Sequence, residues 1–150
     1  MAVRAIPEIL MGPFVVGYDP MGYYIPYTLY WLKYGINFWI FLGAAPLFYA
    51  ILLGATASGM PIVLSIKIIS PLLLGFLGVV VFFYANNTLS WSQKKSLLAT
   101  MFATLYFVAL RISWDLLRSE LSLIFLFITL VLIERHERRV SKAALLSLAM

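Results

Sequence analysis

The 150 residues are 63% hydrophobic and only 11% charged, with a mean hydropathy of +0.98. Soluble domains average about 25% charged residues, so the composition excludes an ordinary soluble domain and predicts an all-α integral membrane protein. The net charge of +5 does not indicate nucleic acid, because four of the eleven basic residues crowd into residues 135–142 and two more are Lys94 and Lys95; short basic segments of this kind stay cytoplasmic, and no soluble basic face remains.

From the N-terminus, residues 1–8 lack the long apolar run of a secretory signal peptide. Glu8 carries little support as a second acid of a cavity. Asp19 follows in Gly17-Tyr18-Asp19-Pro20, and residues 18–39 hold six tyrosines and two tryptophans, the composition of an interfacial belt. Asp before Pro commonly shapes a turn; an acid among interfacial aromatics is equally a candidate for chemistry. Tyr23, Tyr24, Tyr27, Tyr30 and Tyr34 recur at spacings of three and four, which lines one face of a helix lying on the membrane surface.

Residues 38–58 allow two readings. They span the membrane, or they form an interfacial segment within one extracytoplasmic loop covering residues 1–65; Pro46, Gly54 and Gly59 weaken the span. The clearest span is 68–84, with no charge between Lys67 and Lys94. Shorter apolar runs at 96–110 and 121–133 flank a charged stretch at 111–120. One helix from 96 to 133 would be about 57 Å long, far more than a bilayer needs. A hairpin with the charged stretch at its tip is simpler, and it returns the cluster at 135–142 to the side of Lys94 and Lys95. Residues 66–137 then form a three-helix transmembrane region and 138–150 a cytoplasmic basic segment, in a multi-pass protein of the cytoplasmic membrane with three to four membrane helices. All sixteen glycines and prolines fall before residue 79, which predicts an irregular, site-bearing first half and a regular scaffold after it.

Arg111, Asp115 and Arg118 share one helical face by their i, i+4, i+7 spacing. They form an ion pair capping the hairpin beside Trp114, or they bring guanidinium to a phosphate. As a helix, residues 121–133 reach only about 20 Å of a ~30 Å core, so Arg118 and Glu120 sit below the surface or snorkel from it, and ionisable groups at that depth are functional candidates. Lys67 opens the 68–84 span and meets a lipid phosphate or simply snorkels. His136 lies in a solvated basic cluster, and no second histidine or any cysteine exists to complete a zinc or copper site. No phosphate-cradling glycine loop, Ser-His-Asp set or HExxH motif is present.

The order Gly17-Tyr18-Asp19, the aromatic stretch, Ala45-Pro46-Leu47-Phe48-Tyr49, then Leu64-Ser65-Ile66-Lys67-Ile68-Ile69-Ser70 opening a membrane helix resembles the GT-C superfamily. These integral-membrane glycosyltransferases use polyprenyl-phosphate-linked sugars, and they include protein O-mannosyltransferases and aminoarabinose transferases. In them a first external loop carries an essential acid, and a later hairpin ends externally near an Arg- and Asp-bearing tip, to which residues 111–118 are similar. The resemblance covers roughly residues 4–135 and implies the N-terminal part of such an enzyme, partnered by its remaining segments or by a second copy. It implies a polyprenyl-phosphate-linked sugar donor, Asp19 as catalytic base, and Arg111, Asp115, Arg118 and Lys67 as substrate-binding residues. Pro20 stands where several branches have a second acidic residue, so a divalent metal cofactor is left open. The competing expectation is a small non-catalytic four-helix membrane protein with a scaffolding or lipid-binding role; a transporter or channel subunit is disfavoured by the few polar residues within the spans.

Overall fold

The computed structural model describes the backbone of residues 2–148 and the side chains of residues 3–106 and 108–136, and every regular element among them is helical. The side chains of the basic segment expected at 138–150 lie outside the described residues.

Helix α1, Ala2–Leu10, is followed by a loop and then by a π-helical turn, Pro20–Tyr24, which runs directly into α2, Ile25–Tyr34. Gly35, at a φ of +89°, ends α2 in a conformation that L side chains rarely adopt. Asn37 caps α3, Phe38–Gly43, by accepting from the Ile40 N–H at 3.2 Å. The chain then turns at Ala45, whose φ is +67°, and Pro46 starts α4, Pro46–Ala57. Residues 38–58 are therefore two helices, not one. At about 1.5 Å per residue α4 reaches roughly 18 Å, less than a ~30 Å hydrocarbon core.

Helix α5, Ile62–Phe83, continues through a second π-helical turn, Tyr84–Thr88, giving 27 residues that contain an 18-residue stretch of mean hydropathy 2.4, long and apolar enough to cross a membrane. Helix α6, Gln93–Leu105, and α7, Phe107–Asp115, meet at a 54° bend where Tyr106 takes an extended backbone. Helix α8, Leu117–Leu148, completes the hairpin. The reversal is confined to Leu116, whose φ of −100° suits any residue, so neither glycine nor proline marks the tip. The charged stretch 111–120 divides there between the end of α7 and the start of α8.

Helix α5 is the hub against which α1, α4, α6, α7 and α8 pack. Its inward side chains Ile66, Leu73, Leu74 and Leu77 are buried, while Leu64, Ile68, Leu72, Phe76, Val79 and Phe83 are exposed on the opposite face. Gly78 lets α6 approach closely, since a Cβ there would lie 3.2 Å from Thr104 Cγ2. Leu97, Met101 and Phe102 of α6 and Phe125, Leu126 and Leu132 of α8 extend the exposed apolar surface. Soluble monomers rarely expose contiguous apolar patches of more than a few hundred Å².

Aromatic rings hold the first half together. Tyr24 and Trp31 face α4, with ring centroids 4.8 Å from Phe48 and 4.9 Å from Tyr49 respectively, and Phe41 closes on Trp31 at 5.6 Å. Tyr23, Tyr27, Tyr30 and Tyr34 remain exposed. The single tyrosine face read from the sequence is thus two adjacent stripes: residues 24, 28 and 31 point inward, and 23, 27, 30 and 34 point outward. Both obey the same helical spacing, and only the position of α4 separates them. Trp31 is 3% exposed and Tyr30 is 56% exposed, so Trp31→Ala should cost about 3–5 kcal/mol and Tyr30→Ala less than about 0.5 kcal/mol, read from unfolding monitored by circular dichroism in detergent.

Candidate functional site

At the tip of the α7–α8 hairpin, the loop before α2 docks against the end of α7. Gly17 makes the contact possible. Its φ is +108°, and a Cβ at this position would lie 2.2 Å from the Trp114 carbonyl oxygen and 2.8 Å from Asp115 Oδ1, distances no side chain tolerates. The Tyr18 N–H then donates to Asp115 Oδ1 at 2.6 Å, while Asp115 Oδ2 receives Arg111 Nε at 3.4 Å. The Tyr24 hydroxyl donates to the Asp115 main-chain carbonyl at 3.0 Å. One residue of α7 thereby holds both the loop and the helix that follows it.

The electrostatics of Tyr24 show which charges gather around this contact. Burial pushes its hydroxyl up to about 12; the Asp19 carboxylate adds to the rise, and the Arg118 charge and backbone N–H oppose it. Tyr49 is also pushed up to about 12, by burial first, then by Tyr24, with Arg118 opposing. Asp19 and Arg118 therefore act on the same pair of hydroxyls. Asp19 is half-buried at the start of the helix and its side chain makes no capping bond there, whereas Arg118 and Arg111 are exposed, Arg111 at 67%. Four residues singled out in the sequence, Asp19, Arg111, Asp115 and Arg118, converge on the tip.

Lys67 has a different setting. Its ammonium reaches the main-chain carbonyls of Glu8 and Gly12, closing the C-terminal end of α1, where the helix dipole favours a cation. His136 is exposed. Among the described residues, no group of three or more His, Cys, Asp or Glu is placed to hold a metal ion.

Beneath the tip lies a buried polar cluster of which the sequence reading raised Glu8 and Glu120 but not Arg4. Arg4 and Glu8, 0% and 2% exposed, approach to 2.6 Å in an ion-pair contact whose angle departs from a hydrogen-bond direction. Arg4 Nε donates to the Ser113 carbonyl at 3.2 Å, and the Ser70 hydroxyl donates to the same oxygen at 3.3 Å. Glu8 Oε2 accepts from the Val16 N–H at 3.2 Å. Glu120, 1% exposed, supplies a second carboxyl whose charge also acts on Arg4. Burial holds the Arg4 guanidinium below its usual range, with Glu8 the main opposing influence, then Glu120 and Asp115. The available signal was the i, i+4 spacing of Arg4 and Glu8 on a short helix, which alone does not separate a buried pair from a surface one.

Comparison with protein-family models, with curated proteins and with solved structures finds no match to this chain. What the tip can do chemically follows from its own groups: a half-buried acid, two exposed guanidiniums and flanking tyrosines, on segments that Asp115 joins.

Two substitutions test the clamp and the ion pair. Gly17→Ala should detach the loop from α7, seen as accelerated hydrogen exchange at Tyr18 N–H, and Asp115→Ala should act in the same direction at a cost of about 1.5–3 kcal/mol for a charged hydrogen bond. Arg4→Met, which strands two buried carboxyls, should cost about 3–5 kcal/mol, whereas Arg4→Met combined with Glu8→Leu should recover part of that loss in chemical denaturation.

Proposed function

We propose that the chain is the site-bearing module of a multi-pass membrane glycosyltransferase, taking sugar from a polyprenyl-phosphate donor at the extracytoplasmic face of the cytoplasmic membrane. The observation that carries this reading is the Tyr18–Asp115 hydrogen bond at 2.6 Å, which brings the acid-bearing loop to the arginine-bearing tip. A glycosyl transfer of this kind needs a base at the acceptor hydroxyl and cations at the leaving phosphate. Asp19 takes the acceptor proton, and Arg118 with Arg111 meets the phosphate oxygens, for which guanidinium offers a matched pair of donors.

The proposed topology starts from α5, long and apolar enough to cross a membrane, and from the bent α6–α7 pair. Helix α5 crosses once, the bent α6–α7 pair crosses as one broken span, and the 121–133 run of α8 returns. The division of residues 38–58 into two short helices favours an external loop over a further span, and the outward tyrosine stripe suits an interface. Within this reading Asp115 positions the loop, and Lys67 secures α1 where the loop begins; neither contacts the donor. The non-catalytic alternative, a scaffolding or lipid-binding membrane protein, draws on the same two residues, because the polar atoms of Asp115 and Lys67 are already engaged by the chain itself.

Cysteine labelling separates the topologies. Asp19→Cys should react with a membrane-impermeant maleimide added outside intact cells, and labelling only after permeabilisation overturns the external site. In a form active in transfer from a polyprenyl-phosphate-linked sugar, Asp19→Asn should lower the rate by at least about 100-fold with expression unchanged. Transfer at the full rate would leave the scaffold reading in its place.

A further inference from the structure

The end of the bundle opposite the tip holds a cavity of about 790 Å³, a volume typical of small-molecule sites. Helices α5 and α8 both run toward this end, and the Tyr84 and Phe127 rings join them with centroids 5.3 Å apart. The wall changes character along both helices. Phe83 and Val131, at the end of the apolar stretches, supply its apolar part. One turn further on it is polar: Asn86, Asn87 and Ser90 come from the π-helical turn and its exit, Glu134 and Arg135 from α8. The backbone is irregular here. The Leu89 N–H reaches back five residues to the Tyr84 carbonyl at 3.2 Å, and Ser90 has a φ of +54°; both departures concentrate at functional sites. Asn87, Ser90 and Arg135 are exposed, so an entrant meets their polar atoms. Asn86 Nδ2 donates to Asn87 Oδ1 at 3.4 Å, a long contact that a better acceptor replaces. The Thr88 hydroxyl oxygen is buried and is not offered to an entrant.

We propose that this cavity binds a phospholipid with a phosphoethanolamine headgroup, its phosphate on Arg135 and its ammonium on Glu134. The wall selects the class by carrying one charge of each sign among neutral amides and a hydroxyl. A guanidinium offers a phosphate a matched pair of donors, and the Asn86 amide turns its N–H groups to the same oxygens. The ammonium has three N–H donors for Glu134, an asparagine carbonyl and the Ser90 hydroxyl. A carboxylate accepts several donors at once, so Glu134 receives the ammonium alongside its other contacts. A headgroup bearing only a phosphate brings a second anion beside Glu134. Choline encloses its charge in methyl groups and donates nothing, and a neutral sugar makes no use of either charge. The acyl chains leave past Phe83 and Val131 onto the exposed apolar face that Val79 and Leu132 continue. Trp91, 43% exposed, and then Lys94 and Lys95 follow the π-helical turn in the chain, residues typical of the level where lipid headgroups lie. The site rests on α5 crossing the membrane and on nothing in the glycosyl-transfer reading.

The test is lipid competition for the full chain in detergent, read by native mass spectrometry. Dioleoyl phosphatidylethanolamine, phosphatidylcholine and phosphatidylglycerol are supplied in equal amounts. The first should be retained at least about tenfold over each of the others, the ratio that about 1.4 kcal/mol supplies. Phosphatidylcholine keeps the net charge without an N–H, and phosphatidylglycerol keeps the phosphate without a cation. Equal retention of the three overturns the proposal. Glu134→Gln should erase the preference over phosphatidylglycerol, and Arg135→Gln should lower the retention of all three; retention unchanged in both variants puts the lipid elsewhere and overturns the site. Excess glycerophosphoethanolamine, the headgroup without its chains, should leave the lipid bound. Complete displacement by it would assign the cavity to a soluble phosphoamine and overturn the lipid assignment. The wild-type ratio needs no variant, so it can overturn the proposal even where a substituted chain does not fold.

Discussion

A carboxylate that ties two segments nearly one hundred residues apart in sequence fixes more than its own neighbourhood, and Asp115 does so through one side-chain oxygen and its main-chain carbonyl. Its two side-chain oxygens receive the Tyr18 N–H and Arg111, and its backbone carbonyl receives the Tyr24 hydroxyl. The loop can come this close because Gly17 has no Cβ to meet the Trp114 carbonyl. Asp19 and Arg118 both act on the Tyr24 hydroxyl, which itself donates to the Asp115 carbonyl. The aromatic core of Tyr24, Trp31, Phe48 and Tyr49 then carries the constraint into α4, and α4 packs on α5.

Beneath this clamp the chain buries charge, which is unfavourable unless the charge is paired and hydrogen-bonded. Arg4 meets that condition through Glu8 and the Ser113 carbonyl. Ser113 lies in the last turn of α7, so its carbonyl lacks an intrahelical partner and is available to accept from other helices; Ser70 of α5 uses it as well. The break at Leu116 thus does two things. It ends α7 where its carbonyls are needed, and it starts α8 with Arg118 on the outside and Glu120 on the inside. A hairpin turn with a longer loop would separate these roles.

The long helices of the second half were legible in the sequence because their signals are one-dimensional, an uncharged run from Lys67 to Lys94 and two apolar runs around a charged stretch, but the 54° bend at Tyr106 was not, since neither glycine nor proline marks it. The irregular half was not legible either. Whether residues 38–58 form one helix depends on Ala45 at a φ of +67°, and alanine gives no warning of that conformation. The tyrosine spacing was read correctly as helical, yet spacing cannot say which of two neighbouring stripes another helix will cover. Candidate site residues fared similarly. The spacing of Arg111, Asp115 and Arg118 was legible, but the contact that brings the Asp19 loop to them was not, and the engagement of Lys67 by α1 required knowing where a nine-residue helix lies. Arg4 went unseen because an i, i+4 pair near a terminus ordinarily faces solvent.

The allocation of polar atoms at the tip bears directly on what can bind there. Asp115 has both oxygens engaged and the Lys67 ammonium faces two carbonyls, so an anionic ligand finds its cations in Arg118 and Arg111 alone among the residues discussed. Arg111 is divided: Nε leans on Asp115 at 3.4 Å, and the rest of a guanidinium that is 67% exposed is open. A contact that long is a weak restraint in water, so Arg111 can turn toward a phosphate without dismantling the clamp, provided Asp115 keeps the Tyr18 N–H. Arg118 has no such tie and is the stronger candidate for a bidentate contact. The tip is therefore asymmetric: Asp115 is rigid through its short bond to the loop, and the arginines on either side of it are adjustable. In the reaction proposed, that combination would hold the acid-bearing loop in place while the cations reorient toward a phosphate, and it would place the demand for precision on Gly17 and Asp115 rather than on the residues that touch the ligand.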